Sequence, residues 1–305
     1  MKSPAAARAA GARITAIINA SARQGGAVRA EWLQGFFSAH SALEVEIALA
    51  RSGSEVKDHA RAAAAGDSEL IIAAGGDGTI NAVAAELIGT PKRLGVLPLG
   101  TLNHFAKDLA IPLELDQAAR IIVEGRPVRI DAASVNGRFF FNNSSLGLYP
   151  RMVAARQRQQ QEGWMKWCAW LPALWQTARS YPVMAVRIQS GEREWMRRTP
   201  IVFVGNNRYE LQGWGIGSRA CLDGGLLHVS VVRQTGRWAL VRMILYSLFG
   251  RLETVREFES LCSEDLRIET RRRRLPVALD GEVVVLNTPL HYRIHPRALA
   301  IMVPR

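Results

Sequence analysis

A glycine-rich loop is the part of the sequence whose residue types most directly suggest chemistry. It reads GGDGT at residues 75–79, between the apolar run Leu70–Ala74 and a helical pattern. Glycines let a backbone approach phosphate oxygens without a Cβ in between, and the start of a helix adds unpaired N–H groups. Thr79 is placed to cap that helix and to touch phosphate. The loop predicts a phosphate site; the alternative is a glycine-rich connection that binds nothing.

Asp77 indicates how such a phosphate would be bound. A carboxylate inside a phosphate loop repels its ligand unless a cation such as Mg²⁺ lies between them. The loop lacks the Gly-Lys-Ser/Thr ending of a Walker loop, and it does not have the dinucleotide spacing GxGxxG. These features favour a magnesium-dependent phosphate site of another type.

A second loop follows the next apolar run, Leu94–Leu97, and reads PLGTLNHFA from Pro98. Neighbouring strands of a parallel sheet bring their loops together at the carboxyl edge, where ligands bind. Gly100 and Thr101 are candidate backbone and hydroxyl donors. Asn103 is a candidate contact to nucleotide or phosphate, and a helix N-cap is its alternative role.

A third segment places a carboxylate directly after a tight turn. Asp280–Gly281 lies between two apolar runs and is a strong hairpin signal, and Glu282 follows it. On spacing alone, a plain structural hairpin is the interpretation that the sequence favours. A rigid turn can nevertheless hold a carboxylate accurately, and burial would raise its pKa toward the range of a general base.

The elements around these segments fall into two groups. Strand and helix patterns alternate through the first part of the chain, which indicates a parallel sheet flanked by helices. Beyond about Asp131, short strand-like runs bounded by Gly, Pro or Asn predict an antiparallel β-sandwich. For a chain of 305 residues, we predict an α/β domain at 13–131 with a returning segment at 295–305, and a sandwich at 132–294. The strands predicted in the first domain are Ile14–Asn19, Leu43–Ile47, Leu70–Ala74 and Leu94–Leu97.

Taken together, the three segments resemble the diacylglycerol kinase catalytic family, which includes bacterial lipid kinases and sphingosine kinases. The shared segments are Gly75–Asn81, Pro98–Asn103 with Phe105–Ala106, and Asp280–Glu282. Their order and spacing fit over nearly the whole chain, from about residue 13 to 304. The first segment also occurs in NAD kinases, whereas the other two are typical of the lipid kinases.

The resemblance implies transfer of the γ-phosphate of ATP to a lipid hydroxyl, with diacylglycerol as the leading acceptor and phosphatidic acid as the product. It implies an NAD kinase-like α/β domain for ATP and a lipid-binding sandwich domain. Glu282 would be the general base, with Asp77 and Asp131 as carboxylates that shape the catalytic network and its Mg²⁺. The residues implied for ATP binding are Gly75, Gly76, Asp77, Gly78, Thr79, Ile80, Asn81, Gly100, Thr101 and Asn103.

The chain departs from the family pattern at three places, one of which is the absence near Leu49–Ser52 of a strand-end threonine that often contacts ATP in relatives. His104 stands where most relatives have aspartate, and it is expected to be a packing or hydrogen-bonding variant. Bacterial members often carry a second, structural Mg²⁺ site, but here Gly224 occupies the usual aspartate position and Asp223 lies one residue earlier. Asp77 and Asp223 are therefore the candidate metal ligands, and the second site is either replaced or lost.

The charge of the chain predicts an anionic partner. The formal net charge is +12, which fits an anionic membrane surface, although many basic proteins are merely basic. Nucleic acid is disfavoured because no helix-turn-helix, zinc spacing or aromatic RNA-binding motif accompanies the charge. The run Arg271–Arg274 is a candidate contact to the bilayer, and its alternative is a solvated hairpin tip.

A tryptophan-rich segment at about 152–180 is expected to be a helical insertion. It holds Trp164, Trp167, Trp170 and Trp175, four of the eight tryptophans, with basic residues around them. Tryptophan prefers the membrane interface, so a membrane-touching lid is one interpretation. A helical element packed on the sandwich is the other.

Cysteine content and hydropathy bear on location. The three cysteines, Cys168, Cys221 and Cys262, are scattered, and no run of 18 apolar residues occurs. We expect a cytoplasmic protein, peripherally associated with the inner face of the membrane, with a homodimer as the general expectation for oligomeric state. The rival functions are a non-catalytic nucleotide-binding membrane adaptor and an NAD kinase-like phosphotransferase.

Overall fold

The computed structural model describes residues 13–20, 26–40, 45–148, 150, 183–209, 221–232 and 258–305. The chain forms two compact units. The first runs to Ile130 and includes Arg297–Arg305, and the second comprises Asp131–Pro296. The tryptophan-rich segment predicted at about 152–180 lies outside the described residues.

The first unit is an α/β domain. Its strands are β1 (Ile14–Asn19), β2 (Val45–Ala50), β3 (Leu70–Gly75) and β4 (Arg93–Pro98), and its helices are α1 (Gly26–His40), α2 (Gly53–Ala65), α3 (Asp77–Leu87), α4 (His104–Asp108) and α5 (Leu115–Glu124). The strands are parallel in the order β2-β1-β3-β4. The predicted parallel sheet is confirmed.

The register of β3 and β4 positions the two glycine loops. Leu70 pairs with Arg93 and Gly75 with Pro98, so the two strands end side by side. The N–H of Leu99 donates to the carbonyl oxygen of Gly75 at 2.8 Å and extends this pairing into the loops. Because β3 is buried along its whole length, its loop starts from a fixed position.

The second unit is built from antiparallel strands. They are β6 (Arg138–Phe140), β7 (Asn143–Gly147), β8 (Met184–Ser190), β9 (Arg193–Thr199), β10 (Ile201–Asn206), β11 (Leu227–Val232), β12 (Phe258–Ser263), β13 (Asp265–Thr270), β14 (Arg274–Leu279) and β15 (Glu282–Asn287). One sheet has the order β12-β11-β10-β7-β14-β15. A second layer pairs β13 with β8 and β8 with β9. Leu146, Val204 and Val277 share a buried core with Ile188 and Ile268, and the predicted antiparallel sandwich is confirmed.

Two long strands contain residues of both units. They are β5 (Arg126–Val135) and β16 (Leu290–Val303). The first residues of β16 pair with β13, and Ala300 and Ile301 pair in parallel with Arg93 and Leu94 of β4. A separate returning segment at 295–305 was expected; the structure has one strand through it, interrupted by a positive φ of 50° at Arg297.

Several element boundaries differ from the sequence expectation. The second strand was predicted at Leu43–Ile47, but it begins at Val45 and ends at Ala50. The edge strand β9 was not predicted because its sequence, REWMRRT, has few apolar residues to mark a buried face. Among the described helices, none is long and apolar enough to cross a membrane.

Candidate functional site

The glycine loop of the first unit is a short link from a buried strand to a helix. β3 ends at Gly75, Gly76 is the N-cap of α3, and Asp77 is the first helical residue. The N–H groups of Thr79 and Ile80 both donate to the carbonyl oxygen of Gly76, at 2.9 and 3.0 Å. The first N–H groups of a helix have no intrahelical acceptor, so this loop presents free donors and the positive end of the helix dipole.

Thr79 has a different role from the predicted cap. It lies in the first turn of α3, is buried, and its hydroxyl accepts a hydrogen bond from the Asn19 side chain at 2.9 Å. A Cβ on Gly75 would lie 2.5 Å from the Cβ of Thr79, so position 75 must be glycine for the two residues to lie this close. The expectation of a Thr79 cap is wrong because Gly76 occupies the cap position without a side-chain bond.

The two predicted phosphate loops pack directly on each other. A Cβ on Gly100 would stand 2.6 Å from the Cα of Gly76 and 2.7 Å from the Oδ1 of Asn103. A Cβ on Gly76 would stand 3.3 Å from the Cα of Gly100. Glycine at both positions therefore allows the backbones to touch, and the second loop supports the first.

The side chain of Asn103 stabilises the second loop through hydrogen bonds to Gly100. Its Oδ1 accepts the N–H of Gly100 and its Nδ2 donates to the carbonyl oxygen of Gly100, both at 3.0 Å. Asn103 is 5% exposed and has a φ of 49° at the N-cap position of α4. The N–H of Gly100, predicted as a donor, and the side chain of Asn103, predicted to contact nucleotide or phosphate, bond to each other in this structure. Asn103 shapes the loop, and it caps α4 by position without a side-chain hydrogen bond.

Asp77 supplies the missing cap for α4. Its Oδ1 accepts the backbone N–H of Phe105 at 3.0 Å, which is one of the first N–H groups of that helix. Within the part of the chain that the structure describes, Oδ2 makes no hydrogen bond. One oxygen of Asp77 is thus structural, and the other is available to a ligand.

The remaining ATP-binding candidates of this unit divide into buried and accessible residues. Ile80 is fully buried on α3 and packs in the core. Asn81 is half-buried one turn after Asp77, on the same face of the helix. Gly78 and Thr101 are exposed at the two loops, and His104 is exposed at the start of α4.

The fit of Mg²⁺ to the first unit rests on Asp77. Mg²⁺ keeps several waters and usually takes only one or two carboxylates together with substrate phosphates. Asp77, with one available oxygen beside a helix N-terminus, fits that pattern. Among the described residues, no group of three or more His, Cys, Asp or Glu side chains is placed to hold a metal by itself.

In the second unit, Asp280 fixes the hairpin that carries Glu282. The turn Asp280–Gly281 has positive φ values of 48° and 86° and connects β14 to β15, which confirms the predicted hairpin. The carboxylate of Asp280 accepts the N–H groups of Phe141, Asn142 and Asn143 at 2.8, 2.8 and 3.0 Å. The N–H of Asp280 donates to the carbonyl oxygen of Asn143 at 2.9 Å. Glu282 itself is exposed at the start of β15.

Asp131 is buried at the first residue of this unit. Its Oδ2 accepts the N–H of Gly225 at 2.7 Å, and its backbone N–H donates to the carbonyl oxygen of Leu222 at 2.8 Å. It is fully shielded from solvent. Its carboxylate therefore orders the 222–225 segment in this structure.

Asn206 joins the surroundings of Asp131 to those of Asp280, and sequence reasoning missed it. Its Nδ2 donates to the carbonyl oxygens of Asp131 and Phe141, at 3.0 and 2.8 Å. The N–H of Phe141 in turn donates to Asp280. Hydrogen bonds thus connect the position of Asp131 to that of Asp280, two residues before Glu282. Two asparagines that follow the apolar run Ile201–Val204 and Gly205 were the signal available in the sequence.

A second Mg²⁺ bound by Asp223 stays a prediction, whereas the usual ligand position, residue 224, has close neighbours. Asp223 is exposed, and a Cβ at Gly224 would lie 2.7 Å from the Sγ of Cys221 and 3.0 Å from the Oδ1 of Asn207. An aspartate at position 224 therefore has no room without rearrangement. We assign no role to a second cation.

Burial perturbs two histidines of this unit. It lowers the pKa of His228, and the positive charge of Arg208 lowers it further. It also lowers the pKa of His295, with a smaller contribution from Arg293. The Nε2 of His295 shares a 2.9 Å hydrogen bond with the Ser134 hydroxyl. Both side chains are therefore favoured in the neutral form.

Two family models match the chain in succession. Residues 13–135 match the diacylglycerol kinase catalytic domain. Residues 153–303 match the YegS C-terminal NAD kinase beta sandwich-like domain.

Individual relatives agree with these matches. A protein of Yersinia enterocolitica named "Probable lipid kinase YegS-like" is 32% identical over 182 residues, 58% of this chain and 62% of the relative. One of the same name from Pectobacterium atrosepticum is 34% identical over 175 residues, 55% of this chain and 58% of the relative. The chain thus matches these curated relatives over about three fifths of their length.

A solved structure extends the comparison to the whole fold. The crystal structure of a diacylglycerol kinase from Bacillus anthracis superposes with a TM-score of 0.70 and 19% identity, covering 95% of this chain and 96% of the other. At this identity the likeness concerns the fold alone. The two domains are matched in order along the sequence: residues 13–135 belong to the diacylglycerol kinase catalytic domain family and residues 153–303 to the YegS C-terminal domain family.

Proposed function

We propose that this protein is a lipid kinase that transfers the γ-phosphate of ATP to a lipid hydroxyl. The observation that carries the proposal is the contact between Gly76 and Gly100 at the N-terminus of α3. It forms a side-chain-free surface with unpaired N–H groups, which suits a polyphosphate. The names of the relatives in Yersinia and Pectobacterium support a lipid as the acceptor.

The glycine loop binds and orients the phosphates of ATP in this proposal. The N–H groups at the start of α3 and the positive end of its dipole stabilise the charge that develops on the transferred group. Asp77 holds the Mg²⁺ that accompanies ATP, and this ion supplies charge neutralisation when bound. Asn103 acts indirectly, because it keeps Gly100 against Gly76.

Glu282 is the general base of the proposed reaction. It accepts the proton of the lipid hydroxyl while that oxygen forms a bond to the γ-phosphorus of ATP. The bond from this phosphorus to the bridging oxygen of ADP breaks, and ADP leaves with that electron pair. Asp280 holds the turn that carries Glu282, and Asp131 orders the segment beside Asn206.

Diacylglycerol is the proposed acceptor, with phosphatidic acid as the product. The support is the family match over residues 13–135. A sphingoid base, monoacylglycerol, phosphatidylglycerol and a prenol are the other acceptors to be compared. An acceptor of this class resides in a bilayer, so we also propose that the protein works on the anionic inner face of the membrane, from the cytoplasm.

The test is transfer of label from γ-labelled ATP, with Mg²⁺, into these lipids in mixed micelles. Glu282→Gln is run beside the wild type, with Glu192→Gln as the control because Glu192 is an exposed glutamate of the same unit. We expect one labelled lipid, lost in Glu282→Gln and retained in Glu192→Gln.

Other outcomes would assign a different function. ATP binding without any labelled lipid would support a non-catalytic nucleotide-binding adaptor at the membrane. Label in NAD in place of lipid would support an NAD kinase-like phosphotransferase. Normal transfer by Glu282→Gln would remove the base from the mechanism and leave the kinase activity standing.

A further inference from the structure

A groove in the second unit combines an apolar floor with arginines. It has a volume of about 410 Å³, and its floor includes Gly147, Met184 and Leu275. Arg198 and the pair Arg271–Arg272 line the same groove. No carboxylate occurs among the described residues that line it. An apolar floor beside uncompensated positive charge suits an amphiphile with an anionic head.

Within the described residues, the groove arginines lack the ion-pair partners that neighbouring arginines have. Others on these strands are paired with glutamate, as in Arg197–Glu259 at 2.9 Å and Arg187–Glu194 at 3.2 Å. The three groove side chains form no ion pair and no hydrogen bond within the described ranges, and all three are exposed. Guanidinium groups bind phosphate oxygens in paired hydrogen bonds, so they are well suited to a headgroup phosphate.

The turn that carries two of these arginines is held in place by hydrogen bonds. The hydroxyls of Thr270 and Thr288 both donate to the carbonyl oxygen of Arg272, at 3.1 and 2.7 Å. The N–H of Thr288 donates to the carbonyl oxygen of Arg273 at 3.0 Å. The backbone of the arginine run is therefore positioned before any ligand arrives, unlike that of a loosely solvated hairpin tip.

Gly147 keeps the floor of the groove open. Its φ is 92°, and a Cβ there would stand 2.1 Å from the carbonyl oxygen of Pro200 and 2.8 Å from the Cε of Met184. Any other residue would have to displace the backbone or fill the floor. The close approach of these groups shapes a cavity lined by methyl and methylene groups.

The groove and Glu282 lie beside opposite ends of strand β14. β14 passes the groove at Leu275 and ends at Leu279, which pairs with Glu282. Four residues of an antiparallel strand span about 14 Å. A headgroup bound by the groove arginines is therefore not at the position where Glu282 would accept a proton.

We propose that this groove is an accessory site for an anionic phospholipid. The headgroup phosphate binds Arg198, Arg271 and Arg272, and the adjoining apolar part of the lipid packs on Met184 and Leu275. The site is separate from the phosphate-accepting lipid, and it would anchor the second unit at an anionic surface. This proposal rests on the proposed function in one respect only, namely that the protein works at a lipid bilayer.

The first test is binding to vesicles of phosphatidylcholine with and without phosphatidylserine, which offers no free hydroxyl as an acceptor. The triple variant Arg198→Gln/Arg271→Gln/Arg272→Gln is compared with Arg120→Gln/Arg126→Gln/Arg138→Gln, which removes the same charge at exposed arginines elsewhere. Each arginine near the surface contributes about fivefold to binding, so the groove variant should bind phosphatidylserine vesicles on the order of 100-fold more weakly. Equal losses in both variants, or no loss in the groove variant, would overturn the proposal.

The second test uses a short-chain lipid below its micelle concentration. Dihexanoyl phosphatidylserine should raise the melting temperature of the wild type and of the control variant, and leave that of the groove variant unchanged. Inorganic phosphate should give no comparable rise; an equal rise would show a simple anion site and refute lipid binding. Glu282→Gln should bind like the wild type, so a failure of the kinase proposal would not be mistaken for a failure of this one.

Discussion

Gly76 and Gly100 touch through their backbones, and a methyl group on Gly100 would stand 2.6 Å from the Cα of Gly76. Gly100→Ala should therefore push the two loops apart and weaken ATP binding by an order of magnitude or more, with a lower melting temperature. Gly35→Ala is the control, because Gly35 lies in helix α1 with open space around its Cα. Alanine there should raise stability by about 0.5–1 kcal/mol without affecting ATP. Titration of both variants with ATP, followed by thermal unfolding, measures the difference.

Intact ATP binding in Gly100→Ala would mean that the loops do not need this contact. The glycine pair would then reflect folding alone, and the phosphate site would have to lie elsewhere in the first unit.

Asp77 combines a structural role with a proposed catalytic one, and two substitutions separate them. Asp77→Asn keeps an oxygen that can accept the N–H of Phe105, so α4 should remain capped while the charge is lost. Asp77→Ala removes the accepting oxygen as well as the charge, and it should also lower the free energy of unfolding by about 1 kcal/mol. We expect kcat to fall by orders of magnitude in both variants and stability to fall only in the second. Near-normal turnover in Asp77→Asn would leave Asp77 as a helix cap only.

The sequence predicts those parts of the candidate site that short-range patterns encode. The runs Leu70–Ala74 and Leu94–Leu97 predict buried parallel strands, and parallel strands necessarily bring their following loops together. The turn at Asp280–Gly281 is likewise encoded locally, since only residues tolerant of positive φ form it. Glycines needed for close approach are visible in the sequence, but their partners are not.

Interactions between distant residues could not be read from the sequence. The donors to Asp280 lie about 140 positions away, at Phe141 and its neighbours, and the contact of Asn206 with Asp131 depends on how β10 lies beside β7. A single sequence gives each side chain several plausible uses, and tertiary packing selects one. For Asn103, packing adds two hydrogen bonds to the backbone of Gly100 that the sequence did not indicate.

The lowered pKa of His228 predicts a dependence of stability on pH. His228 binds a proton less readily in the folded state than in the unfolded state, where its pKa is about 6.5. The stabilisation is therefore present above that value and is lost as pH falls toward the folded pKa. His228→Gln should make the free energy of unfolding less steep in pH between about pH 7.5 and about pH 5.5. Urea unfolding of both proteins across this range measures the slopes; identical slopes would show that His228 does not contribute.

Asp280 should matter to stability and catalysis together, whereas Glu282 should matter to catalysis alone. The two oxygens of Asp280 accept three backbone N–H groups, and the amide of Asp280→Asn can accept through only one of its two terminal atoms. We expect that variant to lose about 1–3 kcal/mol of unfolding free energy. Its kcat should fall with little change in the KM for ATP, because the hairpin that carries Glu282 is displaced.

Glu282→Gln is the matched comparison for this prediction. Glu282 is exposed and its side chain makes no hydrogen bond within the described residues, so its replacement should leave unfolding unchanged while kcat falls. Urea unfolding and lipid phosphorylation are measured on both variants. If Asp280→Asn loses both stability and kcat, Asp280 is a positioning residue. A stable, inactive Asp280→Asn would instead point to direct participation in the reaction. A destabilised but fully active one would show that the position of Glu282 does not depend on these three hydrogen bonds.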